Sequence, residues 1–116
     1  MAVQEKIIDD VGIVKIRGAL IGDEETTEVR ETVRCLIERG IRNIALDVSR
    51  VKWMNSNGLG TLMACYSAVD KVRGKIGLIK IPDKVHKIMS ITRVHTLFDQ
   101  FGSIREAVKA YRDSTG

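Results

Sequence analysis

The chain has 116 residues, 44% hydrophobic and 29% charged, a length and balance suited to one globular domain that buries roughly two thirds of its unfolded surface. Its net charge of +4 is unevenly divided, with 7 basic and 10 acidic side chains in residues 1–47 against 12 and 5 in residues 48–116. No apolar run approaches the ~20 residues that span a bilayer, and "MAVQEKIIDD" lacks the basic start and apolar core of a signal peptide, so a cytoplasmic protein without membrane insertion is expected. A single proline and the absence of repeats or serine-rich tracts leave no linker, so residues 1–116 are expected to form a single domain. The charge division can steer an acidic partner. The bases are dispersed, however, and one Trp, two Tyr and two Phe make no stacking platform, so solvated helix faces are expected and direct nucleic-acid binding is not.

In chain order, "IIDDVGIVKIRG" sets β-branched runs on either side of the turn formers from Asp9 to Gly12 and predicts a hairpin with strands near 3–8 and 12–18. From Asp23 the period changes to that of a helix, with Val29, Val33, Leu36 and Ile37 on one stripe, acids in the first turn and a stop at Gly40. "IRNIALDVS" predicts a buried strand ending around Asp47, followed by a loop over 49–55. A second helix then carries Leu59, Leu62, Met63, Tyr66, Val69 and Asp70 on one side. "IGLIKI" predicts another buried strand, and Pro82-Asp83 opens a short helix through Val85, Ile88 and Met89. Ser103-Ile104-Arg105-Glu106 is a capping box for a last helix bearing Ile104, Ala107, Val108 and Tyr111. The order ββαβαβα(β)α argues an α/β domain with a mixed sheet.

Cys35 and Cys65 stand apart on separate predicted helices without the spacing of a zinc site or redox pair, so two buried or half-buried thiols are expected. His86 and His95 have no Cys, His or Glu at ligand spacing, and no metal or other cofactor is expected. The stretch "WMNSNGLG", Trp53–Gly60, holds the polar junction of the chain. Gly58-Leu59-Gly60 lacks the third glycine of a dinucleotide fingerprint, where Met63 stands. No Gly-Lys-Ser/Thr marks a phosphate loop, and a hydrolase elbow at Ser56 would need glycine in place of Met54. Asn55, Ser56 or Asn57 can cap the second helix, worth about 1 kcal/mol. A phosphate on a serine there would be tolerated by the helix N-terminus while changing the surface a partner meets.

The eighteen residues "LDVSRVKWMNSNGLGTLM" resemble the signature of STAS domains, specifically the bacterial anti-sigma factor antagonists. The resemblance extends from the initial hairpin and "RGAL", through "VRGKIGL", to "TLFDQFGSIREAV". It implies a mixed four- to five-stranded sheet flanked by four helices, no catalysis, and a partner-switching cycle. In that cycle the antagonist binds an anti-sigma factor that is also a serine kinase. Phosphorylation of the residue before Gly-Leu ends the binding, and a phosphatase restores it.

On this sequence the resemblance implies a partner surface of Trp53, Met54, Asn55, Ser56, Asn57, Gly58 and Leu59, with Ser56 or Asn57 capping the helix and Gly58 admitting the partner closely. Asp47, at the expected end of the buried strand near the loop, can orient the loop backbone by hydrogen bonds or stand as a strand-end carboxylate facing water. The family's phosphorylated position is occupied by Asn57, which has no hydroxyl; the nearest candidate phosphoacceptor is Ser56. Three outcomes are open: Ser56 accepts the phosphate, the protein is a permanently active antagonist, or the domain serves another STAS role, as a signalling scaffold or a subunit of a lipid-transport complex. A nucleotide-binding domain using the helix N-terminus as an anion site is the rival from a different class.

Overall fold

The structure, a computed structural model, describes residues 3–112. β1 (Val3–Ile8) and β2 (Val11–Leu20) form an antiparallel hairpin closed by Asp9 and Asp10, both at positive φ (49° and 65°). That geometry belongs to the two-residue turn whose twist suits a hairpin, and it starts β2 one residue earlier than the composition suggests. After α1 (Asp23–Glu38) come β3 (Asn43–Met54), α2 (Ser56–Lys71), β4 (Ile76–Ile79), α3 (Asp83–Thr92), a 3₁₀ turn (Val94–Leu97), β5 (Asp99–Phe101) and α4 (Ile104–Arg112). The five strands lie in sequence order in one sheet; every pair after the hairpin is parallel. The expected α/β architecture, with five strands and four helices, is the one observed.

Alternation along the strands divides the core between two faces. On one face Val14, Ile16, Ile44, Leu46 and Leu78 pack against Val29, Val33 and Leu36 of α1, Leu62, Cys65 and Val69 of α2, and Val85 and Met89 of α3. On the other, Val11, Ile13, Ala45 and Ile79 pack with Ala107, Val108 and Tyr111 of α4. The Tyr111 hydroxyl donates to Asp99 Oδ2 at 2.8 Å. The capping box at α4 forms: Ser103 Oγ accepts from the Glu106 amide at 3.1 Å, and the Glu106 carboxylate accepts from the Gly102 amide at 2.7 Å.

Several expectations need correction. β3 does not end at Asp47 but runs on to Met54, turning the expected 49–55 loop mostly into strand. Register shifts against β2 between Lys15 and Arg17 and between Gly18 and Ala19 insert extra residues in β3, as bulges do. The buried stripe of α2 is Gly58, Thr61, Leu62, Cys65 and Val69, rotated from the expected one. Met63 is exposed, and Tyr66 sits at the margin, edge-on to Phe98 with ring centroids 5.9 Å apart. Cys65 is buried as expected, whereas Cys35 lies exposed on α1. His86 and His95 pack together, centroids 5.3 Å apart, without forming a metal-ligand cluster among the described residues.

Candidate functional site

The parallel pairing of β2 and β3 brings Leu20 opposite Met54, so both strands deliver their ends to the start of α2. Asn55 is the N-cap: its Oδ1 accepts from the amides of Asn57 (3.0 Å) and Gly58 (3.3 Å). Of the three residues expected to be able to cap, Asn55 does so; Ser56 and Asn57, given that role at the partner surface, do not. The carboxamide nitrogens of Asn55 and Asn57 both donate to the Ile21 carbonyl, at 3.4 and 3.3 Å, and the Asn55 amide donates to Leu20 O at 3.4 Å. Two carboxamides thus tie the turn between β2 and α1 to the first turn of α2. Within α2, Thr61 Oγ1 donates to Asn57 O at 2.9 Å.

Ser56 is the first residue of the helix and is exposed; its hydroxyl makes no hydrogen bond among the described residues. The first turn of α2 contains no acidic residue, so no carboxylate offsets its positive dipole end.

Of the seven residues expected at a partner surface, Trp53 (47% exposed), Asn55, Ser56 and Asn57 face solvent and Leu59 is half-buried. Met54 is fully buried and supports the surface from beneath. Gly58 is buried too. A Cβ there would lie 2.5 Å from Leu20 O and 2.8 Å from Met54 Cβ, so the close approach it permits is of α2 to its own sheet, not of a partner. Ile21, 44% exposed beside Asn55 and Asn57, belongs to the same surface and was missed. Its signal was an apolar residue directly after a strand-ending leucine and before Gly22.

Asp47 does not reach this surface. It lies within β3, where its Oδ1 accepts from the Ser49 amide at 3.0 Å and braces the first bulge. Elsewhere in the chain, burial raises the Cys65 thiol to about 12, and burial, then the Asp99 hydrogen bond, raises the Tyr111 phenol.

The model of the STAS domain matches residues 2–108. Among solved structures, the chain resembles TM1081 of Thermotoga maritima, described as a candidate anti-sigma factor antagonist, with TM-score 0.85 and 24% identity over 95% of this chain and 94% of that one. It resembles the unphosphorylated anti-sigma factor antagonist SpoIIAA, a Bacillus protein, with TM-score 0.74 and 17% identity over 96% and 98% of the two chains. It also resembles a part of the murine anion transporter Slc26a9, with TM-score 0.71 and 23% identity over 94% of this chain and 19% of that one. With the family match spanning nearly all the described residues, the chain belongs to the STAS domain family.

Proposed function

We propose that the chain is an anti-sigma factor antagonist, a binding module that engages a serine-kinase-type anti-sigma factor and so regulates sigma-factor-dependent transcription by partner switching. The observation that carries this reading is the surface formed by Ile21, Trp53, Ser56 and Asn57. On a STAS fold, two large apolar side chains stand exposed beside the α2 N-terminus, on a backbone that Asn55 and Asn57 tie together. Exposed aromatic residues on a preorganised backbone are typical anchors of protein interfaces. Met54 and Gly58 act from below by setting the position of that backbone.

The switch in this reading centres on Ser56. Asn57 offers no nucleophile and its carboxamide is engaged with Ile21 O. Ser56 carries an exposed hydroxyl one residue away from the family's usual acceptor position. In-line phosphoryl transfer is sensitive to displacement of about 1 Å, so Ser56 is a slow acceptor for a conventional kinase. A phosphatase is needed to the extent that Ser56 is modified. Incubation with the cognate kinase and ATP, followed by peptide mass spectrometry, tests this: rapid stoichiometric phosphate on wild-type Ser56 would overturn the slow-acceptor reading.

A second reading is favoured by the likeness to part of Slc26a9: an interaction module within a membrane-transport complex. The two readings separate by partner, since a kinase-type anti-sigma factor supports the first and a transporter subunit the second. A nucleotide screen by thermal shift addresses the remaining rival.

A further inference from the structure

α3 ends at Thr92, and Arg93, held at φ 60°, turns the chain into the 3₁₀ turn Val94–Leu97. The reversal brings His95 back to His86 of α3, where the two rings lie with centroids 5.3 Å apart and planes inclined by 54°. Both residues are half-buried. Each ring is also held through one of its nitrogens. His95 Nδ1 lies 3.3 Å from the Met89 carbonyl oxygen, and His86 Nδ1 lies 3.2 Å from Ser90 Oγ.

A carbonyl oxygen only accepts, so His95 donates its Nδ1 proton to Met89 O and keeps a lone pair on Nε2. The Ser90 hydroxyl can accept from His86 Nδ1 in the same way, which leaves that ring's Nε2 lone pair available too. Among the described residues neither Nε2 has a hydrogen-bond partner. Metal-binding histidines are oriented in this manner, with one ring nitrogen donating to a fixed oxygen and the other left for the ion. The two oxygens here are well anchored, since Met89 is fully buried in the core and Ser90 follows it in the last turn of α3.

We propose that His86 and His95 together bind a divalent transition-metal ion of the class that imidazole favours, represented by Zn²⁺. A tetrahedral ion with Zn–N bonds of ~2.1 Å sits ~3.2 Å from each ring centroid, which places the two centroids ~5.2 Å apart. The observed 5.3 Å matches that span. Rings packed without an ion also fall at ~4.5–7 Å, so the separation permits the ion, and the two unpartnered Nε2 atoms with oxygens behind both Nδ1 atoms argue for it. No group of three or more ligand side chains forms among the described residues, so water completes the coordination. Structural and catalytic zinc sites take four or three protein ligands. Two make the ion exchangeable, a reversible staple between α3 and the turn that follows it. This site is separate from the surface assigned above to the anti-sigma factor and stands without that assignment.

The test is calorimetric titration of the untagged full chain with Zn²⁺, about one unit above the usual imidazole pKa, with imidazole ¹⁵N NMR on the same sample. The expected result is saturable one-to-one binding that weakens at least about tenfold in His86→Ala and in His95→Ala. It should also fall away below about pH 6, as the imidazoles protonate and release the ion. In the wild type the Nε2 signals of both histidines should move together as Zn²⁺ is added, a readout that needs no variant to fold. Cys35, an exposed thiol, is the competing ligand, and Cys35→Ser should leave the affinity unchanged. Absence of saturable binding would overturn the proposal. Equal affinity in a His95→Ala variant shown folded by circular dichroism would do so too, as would loss of binding in Cys35→Ser or movement of only one histidine's signals.

Discussion

A methyl group added at position 58 should destabilise the protein, and one added two residues later, at position 60, should stabilise it. Both glycines lie in the first two turns of α2, where replacing glycine by alanine gains helix propensity worth up to about 1 kcal/mol. At Gly60 nothing lies within 4 Å of the new Cβ, so that gain is unopposed. At Gly58 the Cβ would sit 2.5 Å from Leu20 O, 2.8 Å from Met54 Cβ and 3.1 Å from Leu20 Cβ, whereas ordinary contact begins near 3.4 Å. None of these atoms is the free end of a side chain, so relief requires α2 to move about 0.9 Å from the ends of β2 and β3. Overpacking of this kind costs about 1–3 kcal/mol, leaving Gly58→Ala less stable by up to about 2 kcal/mol after the propensity gain. With a urea m-value of about 2 kcal/mol/M, the midpoint should fall by up to about 1 M while m stays constant. Gly60→Ala should shift it the other way. Equal stabilisation by both substitutions would refute the argument that the start of α2 is pressed against the sheet.

Further outcomes follow from the same geometry. Asn55→Ala removes the acceptor for two amides and should cost about 1 kcal/mol in urea denaturation, whereas Ser56→Ala should change stability by less than about 0.5 kcal/mol. Asn57→Ser, which places a hydroxyl at the family's acceptor position, should be phosphorylated by the cognate kinase much faster than wild type, as read by intact mass. Above about pH 9 stability should fall. The folded state holds the Cys65 proton up to about pH 12 while the unfolded chain releases it near 9.0, so unfolding liberates a proton and the loss grows with pH, reaching at most ~4 kcal/mol. The raised Tyr111 phenol acts in the same direction, and Cys65→Ala should show a shallower alkaline decline in its urea midpoint; identical slopes would exclude Cys65 as a contributor.

Where one periodicity ran through an element, the sequence was readable in detail. The stripe of Val29, Val33 and Leu36 with Gly40 after it places α1, and Ser103 with Glu106 places α4. β3 was cut short for a physical reason: its bulges put the buried residues Val48, Val51 and Met54 three apart, a spacing that looks like neither alternation nor a surface loop. The same misplaced boundary put Asp47 at the loop instead of at a bulge. The proposed surface was suggested by the polar residues and glycines that interrupt an apolar pattern at Trp53–Gly60. Its internal arrangement was not, because Asn55, Ser56 and Asn57 are all competent caps; Asn55 is the one whose backbone stays extended, while Ser56 already begins the helix. A glycine beside such a junction reads equally as access for a partner or as room for the chain's own backbone. Leu20, brought to Gly58 by the pairing of β2 with β3, decides for the latter.

The central claim is that Trp53 and its neighbours on this surface hold a kinase-type anti-sigma factor. The most direct measurement is affinity purification of the tagged full chain from its own host, run in parallel with Trp53→Ala and the surface control Arg30→Glu, with co-purifying proteins identified by mass spectrometry. The account predicts a serine-kinase-type anti-sigma factor with the wild type and the control, reduced at least about tenfold with Trp53→Ala. Undiminished capture by Trp53→Ala, or a transporter subunit in place of the anti-sigma factor, would contradict it.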